Sequence, residues 1–233
     1  MFMKSIQWQT YKDFELLIAD GGSSNYGEIK EYFDDSKLEI PMRIVQCKIG
    51  DAFERARLNN VGVRNAQAEY IMTTDVDMLF GKDFVSTLMD KVRPDFLVES
   101  RTMYLKNKPA HMIYSGEINP YNDIDNCKIG RIKKRTTAGG CQCMHINSWN
   151  KIRGFDESYI GWGSEDYDLL TRAKKAGIKV KWMGESKESI MIFHLPHARN
   201  TKKDLEYQEK NKKILANISG YEVNLDGWGD IKD

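Results

Sequence analysis

Short runs of strand character recur along this chain between longer segments of helical period. ELLIAD (15–20) leads into the turn GGSSN and the helical segment YGEIKEYFDD (26–35). RIVQCK (43–48) is the second strand candidate, residues 52–68 form a helix, and YIMTT (70–74) is a third strand of the sort buried on both faces. KDFVSTLMDKV (82–92) returns as a helix, and FLVESRTMYL (96–105) as one or two strands. Beyond residue 135 come a strand in TTAGGCQCMHI, the short helix NSWNKIRGF, the loop DESYIGWGS and the helix EDYDLLTRAKKAG. The strands IKVKWM and SIMIFH and a charged helix near 202–217 complete the order. Strands alternating with helices predict an α/β fold with a mostly parallel central sheet and helices on both faces.

Composition narrows this. At 233 residues and 41% hydrophobic, the chain can bury the core of one domain spanning 1–233. Residues 106–135 are polar without clean period and read as a variable loop, and 200–233 as a C-terminal helix and tail. A net charge of +1 gives no electrostatic case for a nucleic acid partner. Cys47, Cys127, Cys141 and Cys143 are too scattered for a zinc knuckle or a disulfide framework, which suits a reducing compartment. The N-terminus lacks the apolar core of a signal peptide, and no run reaches the roughly 18 apolar residues of a spanning helix. The expectation is a soluble cytoplasmic chain with no transmembrane segment.

Two carboxylates interrupt the apolar pattern where the third strand ends, in TTDVDMLF. In open α/β sheets ligands bind beyond the carboxyl ends of the strands. Asp75 and Asp77 there suit a hard divalent ion set against a phosphorylated ligand, or they simply cap the turn into the next helix. A second acidic group lies in GWGSEDYDL, where Glu165 and Asp166 open a helix and can face the same cleft from a mobile lid. Acidic residues at a helix start also offset its macrodipole, yet Asp168 already adds charge in that turn. Trp162 between two glycines is costly in an exposed loop unless it stacks on a ligand such as a sugar ring.

These motifs together resemble GT-A glycosyltransferases. TTDVDMLF followed by GFDESYIGWGSEDYDL is similar to the catalytic segment of β1,4-galactosyltransferases, polypeptide N-acetylgalactosaminyltransferases and bacterial chondroitin-type polymerases. The front, SIQWQTYKDFELLIADGGSSN, looks like the start of glycosyltransferase family 2 domains. The resemblance implies a nucleotide-diphospho-sugar transferase fold and transfer from a UDP-sugar to a carbohydrate acceptor hydroxyl with inversion. It also implies Mn²⁺ (or Mg²⁺) held by Asp77, with Asp75 contacting the ribose or the metal shell. IMIFHLPH resembles the segment that completes the metal site, which places His194 as a ligand unless it merely closes a strand end, with His197 as the competing ligand in the same segment; Met191 holds the spacing of a further thioether ligand. Asp166 matches the general base, Glu165 an acceptor contact, and Trp162 and Gly161 a loop that closes over donor and acceptor. Asp20, Arg57 and Asn60 match positions near the donor nucleotide, although Gly21 stands where the family has a second aspartate. Lys133, Lys134 and Arg135 offer a basic run for an anionic acceptor.

The front departs from the family pattern. A helix begins almost at Met1, where family members begin with a strand ending in a turn against the nucleotide base. Loss of that strand would bare a sheet edge and favour self-association. Two other classes fit parts of the pattern: a non-catalytic or truncated sugar-nucleotide or carbohydrate-binding module of the same fold, and a metal-dependent phosphohydrolase using the aspartate pair.

Overall fold

Most elements fall where the apolar period predicts, their ends shifted by one to three residues, as helix and strand ends commonly fray. The computed structural model describes residues 1–36, 38–50, 52–105, 107–115, 117, 131–132, 139–184, 191–197 and 201–231. In chain order its elements are α1 (Phe2–Gln7), β1 (Leu16–Asp20), α2 (Tyr26–Asp35), β2 (Met42–Gln46), α3 (Arg55–Asn65), β3 (Tyr70–Thr73), β4 (Met78–Phe80), α4 (Phe84–Met89) and β5 (Phe96–Ser100). They continue as β6 (Thr102–Tyr104), α5 (Asn107–Tyr114), β7 (Arg131–Ile132), β8 (Gln142–His145), α6 (Ile146–Ile152), α7 (Glu165–Lys175), β9 (Lys179–Met183), β10 (Ile192–His194) and α8 (Thr201–Ala216). The chain divides into two compact units: Met1–Lys12 with Met72–Met144 and Val180–Ala198, and Asp13–Ile71 with His145–Lys179 and Arg199–Asp233.

In the first unit one sheet runs in the order β4-β10-β6-β7. β10 pairs antiparallel with β4, setting His194 opposite Met78, and parallel with β6, setting His194 level with Tyr104. A second sheet runs β3-β8-β5-β9, with β5 and β8 antiparallel. The α/β class holds, but the pairing is more mixed than the alternation of strands and helices suggests, because periodicity identifies strands without choosing their partners. β3 also differs from expectation: Ile71 and Thr73 are buried while Tyr70 and Met72 are only half-buried, so it alternates instead of hiding both faces.

Leu79, Met103, Leu105, Phe193 and Leu195 from the β4-β10-β6 strands and their ends form a core with Ala110 and Ile113 of α5. That helix lies inside the stretch read as a loop; two buried apolar residues three apart dock it, with half-buried Met112 packed alongside, too little to register against the polar composition around it. Lys133, Lys134 and Arg135 lie outside the described residues. α1 buries Phe2, Met3, Ser5 and Ile6, and Phe2 meets Phe80 edge-on at 6.2 Å. Just after it, buried Gln9 donates from Nε2 to the carbonyls of Ser5 and Gly81, both at 2.9 Å, and accepts the Val85 N–H at 3.0 Å.

In the second unit β1 and β2 run parallel, Asp20 level with Gln46. Cys47, Leu58 and Val61 pack with Ala19, Val45 and Ile49, so the apolar face of α3 covers this pair. α6 buries Trp149, whose Nε1 donates to the Ile71 carbonyl at 3.1 Å. The C-terminal tail is stitched to this unit: Arg153 donates to the Asn224 carbonyl at 2.6 Å, and the Asn224 amide returns bonds to the carbonyls of Arg153 and Phe155 at 2.9 and 2.7 Å. Among the described residues no helix is long and apolar enough to cross a membrane.

Gln9→Leu keeps most of the buried volume but strands the Val85 amide, while the Gly81 carbonyl keeps the Phe84 N–H at 3.0 Å. At about 1–3 kcal/mol for an orphaned group, the variant should unfold at a lower midpoint by thermal or urea denaturation followed by circular dichroism. A midpoint equal to wild type would show that the front of the chain is not anchored through this side chain.

Candidate functional site

Asp77 immediately precedes β4, and its backbone is held by the bond from Leu195 N–H to the Asp77 carbonyl at 2.9 Å. Its neighbour across the antiparallel pair is the end of β10, which delivers His194, while His197 follows in the next turn. The Nε2 atoms of His194 and His197 lie 3.4 and 3.2 Å from Asp77 Oδ2. One donor atom from each residue falls within 4.8 Å of the others, the spacing of a divalent ion's ligand set. Asp77 Oδ1 is buried and accepts no hydrogen bond from any described residue. Burial raises the Asp77 pKa above the ordinary aspartate value, as does neighbouring Asp75, and the two histidines offset only part of this. A half-buried carboxylate beside two imidazoles offers oxygen and nitrogen donors that fit a divalent metal. His197 thus joins the cluster. Met191 is described through its backbone, its carbonyl accepting Gly81 N–H at 2.8 Å. Asp75 shapes the turn by accepting Met78 N–H on its carbonyl at 3.2 Å. The thiols of Cys141 and Cys143 are buried, which raises both pKa values, that of Cys143 to about 12, and leaves them poor ligands.

The acidic pair of the second unit is built differently. α7 starts from Ser164 in a left-handed conformation, with Glu165, Asp166 and Asp168 in its first turn. Arg55 of α3, itself buried, places one guanidinium nitrogen 3.1 Å from Glu165 Oε1 and 2.8 Å from Asp166 Oδ1. Asp168 turns inward instead: its carboxylate takes Arg172 Nε at 2.6 Å, with both side chains 1% exposed. Burial raises Asp168 and Arg172 opposes it. The third acid of the motif is therefore consumed internally, leaving Glu165 and Asp166 oriented by one arginine. Sequence reasoning missed Arg55; RAR offered two arginines, and only the packing of α3 decides which one reaches the pair.

The loop 160–163 is anchored more firmly than a freely mobile lid requires. Gly161 N–H donates to the Phe53 carbonyl at 2.8 Å, and buried Asn211 of α8 donates to the carbonyls of Ile160 and Trp162 at 3.1 and 3.4 Å. Gly161 has φ 72°, and a Cβ there would sit 2.5 Å from the Tyr207 ring, so both conformation and space demand glycine. Trp162 stays 39% exposed above this anchored backbone. Tyr207 and Asn211 were invisible as site residues because their four-residue spacing sits inside a run of lysines and glutamates.

The candidate donor residues divide. Asp20 ends β1 and accepts the N–H of Gly22 and Ser23, the Ser23 hydroxyl and the Gln46 amide. Burial would raise its pKa, but these bonds outweigh burial and hold it below the usual aspartate value. At Gly21, beside it, a Cβ would lie 2.9 Å from Ile49 Cδ1 and 3.1 Å from Leu58 Cδ1, so a larger residue there would make those side-chain ends shift. Arg57 donates to Glu54 at 3.2 Å and to Cys47 Sγ at 3.4 Å. Asn60, fully buried, spends its amide on Phe155 N–H, the Phe155 carbonyl and Glu157. Its side chain holds a loop, the structural alternative to a diphosphate contact.

The sequence profile of glycosyl transferase family 2 matches residues 2–144, and that of the N-terminal domain of galactosyltransferase matches 121–197. Human beta-1,4-galactosyltransferase 4 is 23% identical over 194 residues, 81% of this chain and 47% of that protein. Human beta-1,4-galactosyltransferase 3 is 26% identical over 153 residues, 64% of this chain and 33% of that protein. The chain spans less than half the length of these curated relatives. Among solved structures, S. aureus TarS superposes with a TM-score of 0.60 at 11% identity, covering 92% of this chain and 36% of that one. The catalytic domain of Drosophila beta1,4-galactosyltransferase 7, solved in complex with xylobiose, gives 0.54 at 19% identity, covering 89% and 83%. At such identities the likeness establishes the GT-A fold and leaves chemistry to the site.

Because the Asp77 carboxyl titrates above its ordinary value, its ionised form costs stability at neutral pH and the cost disappears as pH falls through the raised pKa. Asp77→Asn should therefore raise the melting temperature of metal-free protein at pH 7, an advantage that shrinks towards acid pH. The same variant should gain nothing from added Mn²⁺, whereas wild type gains stability with metal concentration. Calorimetric melts across pH, with EDTA and with Mn²⁺, read both effects.

Proposed function

The chain belongs to glycosyl transferase family 2, and on that footing we propose that it transfers a sugar from a UDP-sugar to a carbohydrate hydroxyl with the help of Mn²⁺ (or Mg²⁺). The observation that carries the reading is the Asp77, His194 and His197 cluster with its buried, unbonded carboxylate oxygen. A metal bound there supplies a positive charge against the diphosphate of the donor. The chain's own residues do the rest in two places. Asp77 and the two histidines would hold that ion, and the diphosphate departs with the electron pair of the broken C1–O bond. Asp166 accepts the proton of the acceptor hydroxyl as its oxygen bonds to the anomeric carbon, the general-base role a weak nucleophile requires. Attack opposite the leaving group inverts the anomeric centre.

Arg55 keeps the two carboxylates apart in function: it holds Glu165, which is nearly inaccessible, and orients Asp166, which is less buried and available to a hydroxyl. Trp162 supplies an exposed ring of the kind on which sugars stack, on a backbone fixed by Phe53 and Asn211. The carbohydrate acceptor class agrees with the xylobiose bound by the Drosophila relative in fold.

Titrating UDP into the chain calorimetrically with Mn²⁺, and again with EDTA, tests the donor half. Binding should require the metal and vanish in Asp77→Ala. Asp166→Asn should retain UDP binding but lose about 10²–10⁴ in turnover with a competent donor and acceptor. UDP binding indifferent to EDTA would remove the metal from the reading. Binding without turnover of any donor would instead leave a sugar-nucleotide-binding module.

A further inference from the structure

The histidines of the cluster raise a question of aim. A metal-bound imidazole is ordinarily oriented by a hydrogen bond on its other nitrogen, and the partner that provides it tunes affinity. In this chain an aromatic ring lies against His194. Tyr104 on β6 is level with His194 in the parallel pair, so both side chains leave the same face of the sheet. Their ring centroids are 4.8 Å apart with planes 31° from parallel. His194 in turn lies 5.4 Å from His197 with planes 36° from parallel, so Tyr104, His194 and His197 form one column of rings ending over Asp77. The backbone locks this register: Leu105 N–H donates to the His194 carbonyl at 3.0 Å, and Leu195 N–H to the Asp77 carbonyl at 2.9 Å on the other side of β10.

We propose that Tyr104 is a positioning residue for the metal ligands, its ring fixing the plane of His194 and, through it, that of His197. This rests on the reading that the Asp77, His194 and His197 cluster binds a divalent ion. His194 is 12% exposed in its side chain, whereas His197 is 48% exposed and sits beyond the strand, its Nε2 3.2 Å from Asp77 Oδ2. An offset ring neighbour limits rotation of an imidazole without supplying a competing charge. The ring matters for this role, not the hydroxyl: phenylalanine can replace tyrosine, and an aliphatic residue cannot.

The test is Mn²⁺ affinity of the chain without substrates, read from the paramagnetic resonance signal of free Mn²⁺, for wild type, Tyr104→Phe, Tyr104→Val and Asp77→Ala. Tyr104→Phe should bind as wild type does, and Tyr104→Val should bind about tenfold more weakly with an unchanged circular dichroism spectrum. Equal affinity of wild type and Tyr104→Val, or an equal loss in Tyr104→Phe, overturns the proposal while leaving the metal site intact. No binding by wild type overturns the metal reading and the proposal with it. The metal-free wild-type protein gives an independent check, since a stacked imidazole shifts its Hε1 proton resonance upfield; a His194 resonance at its unstacked position overturns the column even if Tyr104→Val fails to fold.

Discussion

A carboxylate largely removed from water, with one oxygen bonded to no described residue, is the constraint on which the first unit turns. Asp77 sits where β4 begins, and the strand that fixes its backbone also brings the two histidines to it. Burying such a group costs free energy unless it is paired, and the two imidazoles beside it offset only part of that cost. The fold maintains the cost because β10 is clamped on both sides, antiparallel to β4 and parallel to β6, above a core of Leu79, Met103, Leu105 and Phe193.

The second unit treats its carboxylates in the opposite way. Asp168 is neutralised by Arg172, and Glu165 and Asp166 share Arg55. Buried ion pairs of this kind are weak sources of net stability, since desolvation offsets attraction. Their effect is orientation. Arg55 ties the start of α7 to α3, and Arg172 ties α7 to the Ile152 carbonyl at 2.9 Å. The helix that carries the proposed base is thereby held at both its first turn and its middle, while Tyr207 and Asn211 of α8 hold the loop before it.

Much of this was written in residue types and spacing. The apolar blocks located most strands and helices, the two acidic motifs named the carboxylates on which the proposed chemistry rests, and GWGSED announced a loop leading into a helix. Asp77, His194 and Met191 were assigned as ligands through the family resemblance, with His197 as the competing residue; it is the structure that sets His197 beside Asp77 and His194. What spacing could not carry was anything depending on which strand lies beside which. The mixed pairing of β10, the docking of α5 by two apolar residues, the selection of Arg55 over Arg57, and the use of Asn60 to hold a loop are all decisions of packing. The sequence by itself determined the chemistry available to this protein, because that lies in side-chain identity. Tertiary structure alone decided which groups are desolvated, paired or stacked, because those properties belong to neighbours drawn from distant parts of the chain.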